Sequence, residues 1–150
     1  MAIEAKPQGG ELLGAISNMV VGVYADCLGK GPTRARSVVD HDVVLCLLEN
    51  TLTKPERLLL LSEQSSALLT TRTLLQNAMR KPLIAGVEQL TGRRVETMVS
   101  GRQLEPDLMT EVFVLGGAVE NLSIDKSPSE LSLSPQELGT ENSEMLLRTE

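Results

Sequence analysis

The chain has 150 residues, of which 41% are hydrophobic and only 1% aromatic, and its 14 basic and 20 acidic residues give a net charge of −6. This length suffices for one domain with its own core, which must be aliphatic because the chain has no Trp, one Tyr and one Phe. An acidic chain with so few aromatic rings argues against nucleic-acid binding, which relies on basic surfaces and base stacking.

The first half of the chain predicts a helix followed by a β-hairpin. Residues 1–10 are expected to be a flexible lead, and apolar residues then recur at helical spacing from Glu11 until Gly29 ends the helix. Two β-prone runs, 34–39 and 43–48, are separated by a short turn and predict the hairpin. Because the second run is apolar on both sides, we expect it to be a central strand.

Two further helices are predicted next. Thr53 and Glu56 have the spacing of a capping box, with Pro55 in the first turn of the helix that follows. After a junction at residues 62–66 comes a longer helix, in which Pro82 predicts a kink or break near Arg80 and Lys81. Gly92 is the expected end of this helix.

The last elements are two strands over 95–100 and 110–115, joined by a loop over 101–107. The order α-β-β-α-α-β-β predicts an α+β fold, with a largely antiparallel four-stranded sheet built from two hairpins and helices on one face. We place a single domain at 11–115. Residues 116–150 are rich in Ser, Glu and Pro, which predicts a disordered acidic tail.

The two cysteines, Cys27 and Cys46, fall within apolar patterns and lack metal-ligand spacing. We interpret them as buried small apolar residues in a reducing compartment, and we expect no metal and no cofactor. The N-terminus lacks the pattern of a signal peptide, and no run approaches the roughly 18 unbroken apolar residues of a membrane-spanning helix. We therefore expect a cytoplasmic protein that does not itself cross a membrane.

One turn combines glycines with cations and is the candidate site of the sequence. Its glycines allow close approach to the backbone and its cations suit a phosphate, a carboxylate or bicarbonate. The predicted anion-binding residues are Gly29, Lys30, Gly31, Thr33, Arg34 and Arg36. The alternative is a plain helix-to-strand connection with solvated cations. Arg57, Arg72 and Arg93 are further cations that the fold could bring to the same turn.

Enzymatic motifs are not recognisable in this sequence. The residues around Lys30 fail the phosphate-binding P-loop pattern in spacing and in element order. The single histidine, His41, lies in a predicted turn and is not paired with a nucleophile, and no two carboxylates are marked as an acid–base pair.

Several short motifs, in this order, resemble the MpsC-like family over roughly residues 11–115. They are Gly29-Lys30-Gly31-Pro32-Thr33, Leu52-Thr53-x-x-Glu56, Val87-Glu88-x-Leu90-Thr91-Gly92-Arg93-x-Val95 and Phe113-Val114-Leu115. This bacterial family of unknown function is named after a component of a sodium-translocating, membrane-potential-generating system. The resemblance implies a small α+β domain associated with an ion-translocating membrane system.

These observations predict a non-enzymatic accessory or regulatory domain. Its expected partner is a protein, with a Na⁺-translocating or anion-transport membrane system as the candidate, and a small anion is the candidate ligand of the Gly29–Arg36 turn. The alternative is an enzyme that acts on a phosphorylated or carboxylated small molecule at the same turn. A homodimer is consistent with the edges that a four-stranded sheet leaves open.

Overall fold

The structure is a computed structural model that describes residues 7–119. Over this range the chain forms α1 (Gly9–Leu28), β1 (Arg34–Asp40), β2 (Val43–Glu49), α2 (Lys54–Leu61), α3 (Ser65–Thr91), β3 (Val95–Gln103) and β4 (Leu108–Leu115). The predicted α+β class and the element order α-β-β-α-α-β-β are confirmed.

The four strands form one antiparallel sheet in the order β1-β2-β4-β3. β2 is a central strand, as its apolar run predicts, and β4 is the other central strand because it pairs with both β2 and β3. α1 packs on β1 and on α3, and α3 also packs on β3. The helices therefore cover one side of the sheet, which we call the inner face, and we call the opposite side the open face.

The helix α1 presents one apolar stripe to the inner face. Leu12, Ile16, Val20 and Tyr24 lie at helical spacing and are all buried. The helix starts two residues before the predicted Glu11, and its end at Gly29 is as predicted. By length and composition α1 could cross a membrane, but the core helix of a globular domain passes the same test, and so does a signal sequence near an N-terminus.

The capping box at the start of α2 is confirmed. The Thr53 hydroxyl accepts from the Glu56 amide, and the Glu56 carboxylate accepts from the Thr53 amide at 2.7 Å. Glu56 is nevertheless only 6% exposed, which the capping box alone does not require.

The predicted break at Pro82 is wrong, because α3 is continuous through it, while the alternative of a kink stays a prediction. Proline removes the amide that would bond the carbonyl of Ala78, four residues earlier. Both residues are exposed, so water can reach that carbonyl, while Met79 and Leu83 on the opposite side are buried in the core. Packing of these two residues thus keeps the chain helical across the proline.

The β3–β4 hairpin is longer than the sequence predicts. β3 continues to Gln103 and β4 begins at Leu108, so the first three residues of the expected loop over 101–107 are strand and residues 104–107 form the turn. The folded unit also extends beyond residue 115: the amide of Val119 donates to the His41 carbonyl, and its side chain is 7% exposed within the core. The rest of the predicted tail, 120–150, and the first six residues of the predicted lead lie outside the described residues.

The expectation for the cysteines holds for one of the two. Cys46 on β2 is fully buried, and burial raises the pKa of its thiol to about 11, against a lowering contribution from the Ser37 hydroxyl. Cys27 is exposed, contrary to the prediction. It lies in the last turn of α1, beyond Tyr24, which is the last buried residue of the helix.

Candidate functional site

Two amides of the predicted anion-binding turn donate to carbonyls at the ends of neighbouring elements. Gly29 has a φ of 75°, and its amide donates to the Ala25 carbonyl at the end of α1. The Thr33 amide donates to the Glu49 carbonyl at 3.0 Å, which extends the β1–β2 pairing by one residue. Gly31 packs closely on α1, since a Cβ there would lie 3.1 Å from atoms of Val21.

The three cations of the turn lie in different places. The Lys30 ammonium donates to the Leu52 carbonyl at 3.0 Å. Arg34 and Arg36 are exposed on the open face of β1, and Arg36 lies 3.8 Å from the Glu49 carboxylate. Anion binding at this turn stays a prediction. In the structure Lys30 holds the segment that leads from β2 to α2.

That same segment is also held by the β3–β4 turn. The Asp107 carboxylate accepts from the Thr51 hydroxyl at 3.1 Å and from the Leu52 amide at 2.9 Å. The oxygen that accepts from Leu52 also lies 3.3 Å from the Arg57 guanidinium. The side chain of Asp107 is 7% exposed. One carboxylate thus joins the segment between β2 and α2 to the far hairpin.

A buried ion pair joins the start of α2 to the middle of α3. Arg72, which is 1% exposed, donates from Nε and Nη2 to the two oxygens of Glu56, and from Nη2 to the Thr51 carbonyl at 2.6 Å. Burial disfavours the charge on Glu56, but the hydrogen bonds from Arg72 and from the Thr53 amide outweigh it and lower the pKa of this carboxyl. Among the described residues, Nη1 of Arg72 has no hydrogen-bond partner.

A second buried polar cluster lies one helical turn further along α3. Glu111 on β4 is fully buried, and it accepts from the Tyr24 hydroxyl at 2.6 Å and from the Ser100 hydroxyl. Burial raises the pKa of Glu111, and the hydrogen bonds of Ser100, Tyr24 and Gln76 offset only part of that effect. Burial and the nearby Glu111 charge also raise the pKa of Tyr24. This cluster ties α1, β3 and β4 together.

Sequence analysis found the capping role of Glu56 but not its buried partner. Arg57 and Arg72 do converge, as considered from the sequence, but they do so on the segment 51–57 and without Arg93, which lies near Gly117. The sequence did contain a signal for buried polar side chains on α3. Arg72 and Gln76 follow Leu68 in steps of four along the apolar stripe of α3, where only a satisfied polar side chain can be buried.

These two clusters stabilise the fold. Their hydrogen-bonding groups are enclosed and bond mainly to one another, so they fix the relative positions of the helices and the sheet. Within residues 7–119, no group of three or more His, Cys, Asp or Glu side chains is placed to hold a metal ion.

The open face carries an apolar row at its centre. Val38, Leu45, Val112 and Val99 are paired in register across all four strands. The two outer members, Val38 and Val99, are 43% and 59% exposed. No helix within the described residues packs on this face. The sequence predicted helices on one side of the sheet only, but the apolar row on the other side was not predicted.

Next to this row the open face has a depression of about 210 Å³, lined by Leu47, Gly101, Arg102, Gln103, Leu108 and Thr110. It exists because residue 101 has no side chain. A Cβ at Gly101 would lie 2.6 Å from the Thr110 hydroxyl, the paired residue on β4. A larger groove of about 420 Å³ runs along α3, lined by Asn77, Arg80, Lys81, Ile84, Ala85 and Glu88.

Residues 8–117 match the family described as Na⁺-translocating membrane potential-generating system (MpsC). The match covers most of the chain and nearly all the described residues, so the chain belongs to the MpsC family. No curated protein and no solved structure matches the chain.

Proposed function

We propose that this MpsC-family chain is a non-catalytic assembly module of a Na⁺-translocating membrane potential-generating system, and that the open face of its sheet is its protein-binding surface. The observation that carries the proposal is the apolar row of Val38, Leu45, Val112 and Val99, left without a covering layer by the described residues. Contiguous exposed apolar surface of this kind is typical of interaction sites.

The distribution of polar groups supports a binding role over a catalytic one. The buried carboxylates Glu56 and Glu111 are engaged by Arg72, Tyr24 and Ser100 inside the fold, away from the open face. Catalysis by a carboxyl requires reach to a substrate proton. The open face offers apolar area with a charged border at β1, which is the composition of a protein interface with a polar rim.

The connection to a membrane system comes from the family description, and the described fold supports a peripheral role in it. The apolar stripe of α1 is occupied by the core, since Leu12, Ile16, Val20 and Tyr24 are buried there. The module would therefore reach the membrane system through protein contacts. A cytoplasmic location remains part of this proposal.

The test measures Na⁺-dependent membrane potential with a potential-sensitive dye. Membrane vesicles come from cells that lack this chain, and purified full-length protein is added back. We expect the wild-type protein to restore the potential. Val112→Glu, which places a charge at the centre of the open face, should not restore it. The matched control is Leu74→Glu on α3, where the native side chain is 65% exposed. Full restoration by Val112→Glu would contradict the proposal, and so would no effect of the wild-type protein.

A further inference from the structure

We infer that the occupant of the open face is a second copy of this chain, packed face to face across a two-fold axis that crosses the strands. The inference deepens the proposed function and rests on it, because it uses the same protein-binding surface. Three features of the face carry it: the apolar row, the charges at the two ends of β1, and the depression at Gly101.

The apolar row requires a partner that offers apolar surface over the width of four strands. Stacked sheets pack about 10 Å apart, with strand directions within about 30° of each other, and their side chains interdigitate. A second copy offers the same width. The axis derived below offsets the two rows by one step, so that the residues opposite Val38, Leu45, Val112 and Val99 are Arg36, Leu47, Thr110 and Gly101. A two-layer α+β subunit of this kind becomes a four-layer dimer in which each open face covers the other.

The charges of β1 fix the direction of the axis. On the open face this strand carries Arg34 at one end, Asp40 at the other and Arg36 between them, and all three residues are exposed. An axis that crosses the strands reverses their direction, so that Arg34 of one copy faces Asp40 of the other, twice per dimer. An axis along the strands would instead place β1 over β3, where Arg34 would face Gln103 and Asp40 would face Thr97.

The depression supports the same axis. On β3, Val99 and Gly101 are consecutive residues of the open face. When the strand direction is reversed about a point between them, Val99 of each copy faces Gly101 of the other. The exposed Val99 side chain then meets the depression of about 210 Å³ that Gly101 creates beside Leu47 and Thr110. A protrusion and a hollow one step apart on the same strand are self-complementary under this two-fold symmetry.

The experiment measures the dimer dissociation constant of the full-length chain by sedimentation equilibrium. Arg34→Asp and Asp40→Arg are prepared singly, with circular dichroism as a check on folding. Each single variant places two like-charge contacts in its own dimer, and we expect its dissociation constant to rise roughly tenfold or more. An equimolar mixture of the two has only opposite-charge contacts in its heterodimer. We expect it to return to within about threefold of the wild-type value.

A second variant tests the face independently of its charges. We expect Val99→Asp to abolish the dimer, while Leu61→Asp on α2, where the native side chain is 81% exposed, leaves it unchanged. A dimer that survives Val99→Asp, or a mixture that fails to recover, would overturn the inference. So would a wild-type chain that stays monomeric at every concentration. In that case the comparison of Val112→Glu with Leu74→Glu in vesicles still decides the proposed function.

Discussion

The two faces of the sheet differ in how far the chain satisfies them by itself. The inner face includes charged and hydroxyl groups, yet nearly all of them find partners within the fold, as Glu111 does with Tyr24 and Ser100. The open face is simpler in composition and holds exposed apolar residues such as Val38 and Val99. This difference indicates that the polar clusters stabilise the fold of the chain itself, while the apolar open face is available for association.

Adjacent residues on β4 give the sharpest test of this difference. Phe113 is fully buried on the inner face, and Val112 lies on the open face. We expect Phe113→Ala to lower the free energy of unfolding by about 3–5 kcal/mol through lost burial and a cavity. Val112→Ala should cost well under about 1 kcal/mol in the monomer. Urea denaturation at low protein concentration measures both. Similar losses for the two variants would show that the faces do not differ in this way.

The next test removes one partner of the buried ion pair. Glu56→Ala leaves the Arg72 guanidinium buried, with the Thr51 carbonyl as its one remaining acceptor among the described residues. We expect a loss of about 3 kcal/mol or more in the free energy of unfolding, because an uncompensated charge remains in the interior. The control is Glu105→Ala, which removes an exposed carboxylate from the β3–β4 turn. If both variants are equally stable, the pair does not hold α2 on α3.

The smallest effect is in the pH dependence of stability. Because burial raises the pKa of Glu111, the folded protein binds this proton more tightly than the unfolded chain does. Its contribution to stability therefore declines as the pH rises above the ordinary Glu value of 4.5. Glu56, with its lowered pKa, acts in the opposite direction and loses its contribution as the pH falls below 4.5.

Glu111→Gln isolates the first of these effects. We expect the variant to lose the decline in stability above pH 4.5 that the wild-type protein shows, as measured by urea unfolding over a pH series. Glu96→Gln, an exposed position on β3, should keep the wild-type profile. A wild-type profile that does not fall relative to Glu111→Gln in this range would refute the assignment.

Local signals in the sequence predicted the elements and their ends where the cause is itself local. The helix end at Gly29 and the capping box of Thr53 and Glu56 depend on residues within one turn of each other. Pro82 is the exception, because burial of the residues around it overrides a local preference. The strand ends at Gln103 and Leu108 were missed since they are set by pairing across the hairpin.

The candidate surfaces depend on contacts between distant parts of the chain. Arg72 and Glu56 are 16 residues apart, and Tyr24 and Glu111 are 87 apart, so spacing alone does not identify these pairs. The apolar row of the open face combines one residue from each of four strands, and its alignment follows from the strand order and register. Sequence analysis supplied the strands and their faces, but not the order in which they lie.

The central position of β4 also affects how the chain folds during its synthesis. The β1–β2 hairpin leaves the ribosome early, but the second edge of β2 has no strand partner until β4, the last of the described strands, has been translated. Within residues 7–119, β3 pairs with β4 alone, so it also stays unpaired until β4 is translated. Domains generally fold as units once their residues are available. A nascent chain of this protein therefore keeps two unpaired strand edges until residues 108–115 emerge, and a chaperone that shields such edges would act on it in that interval.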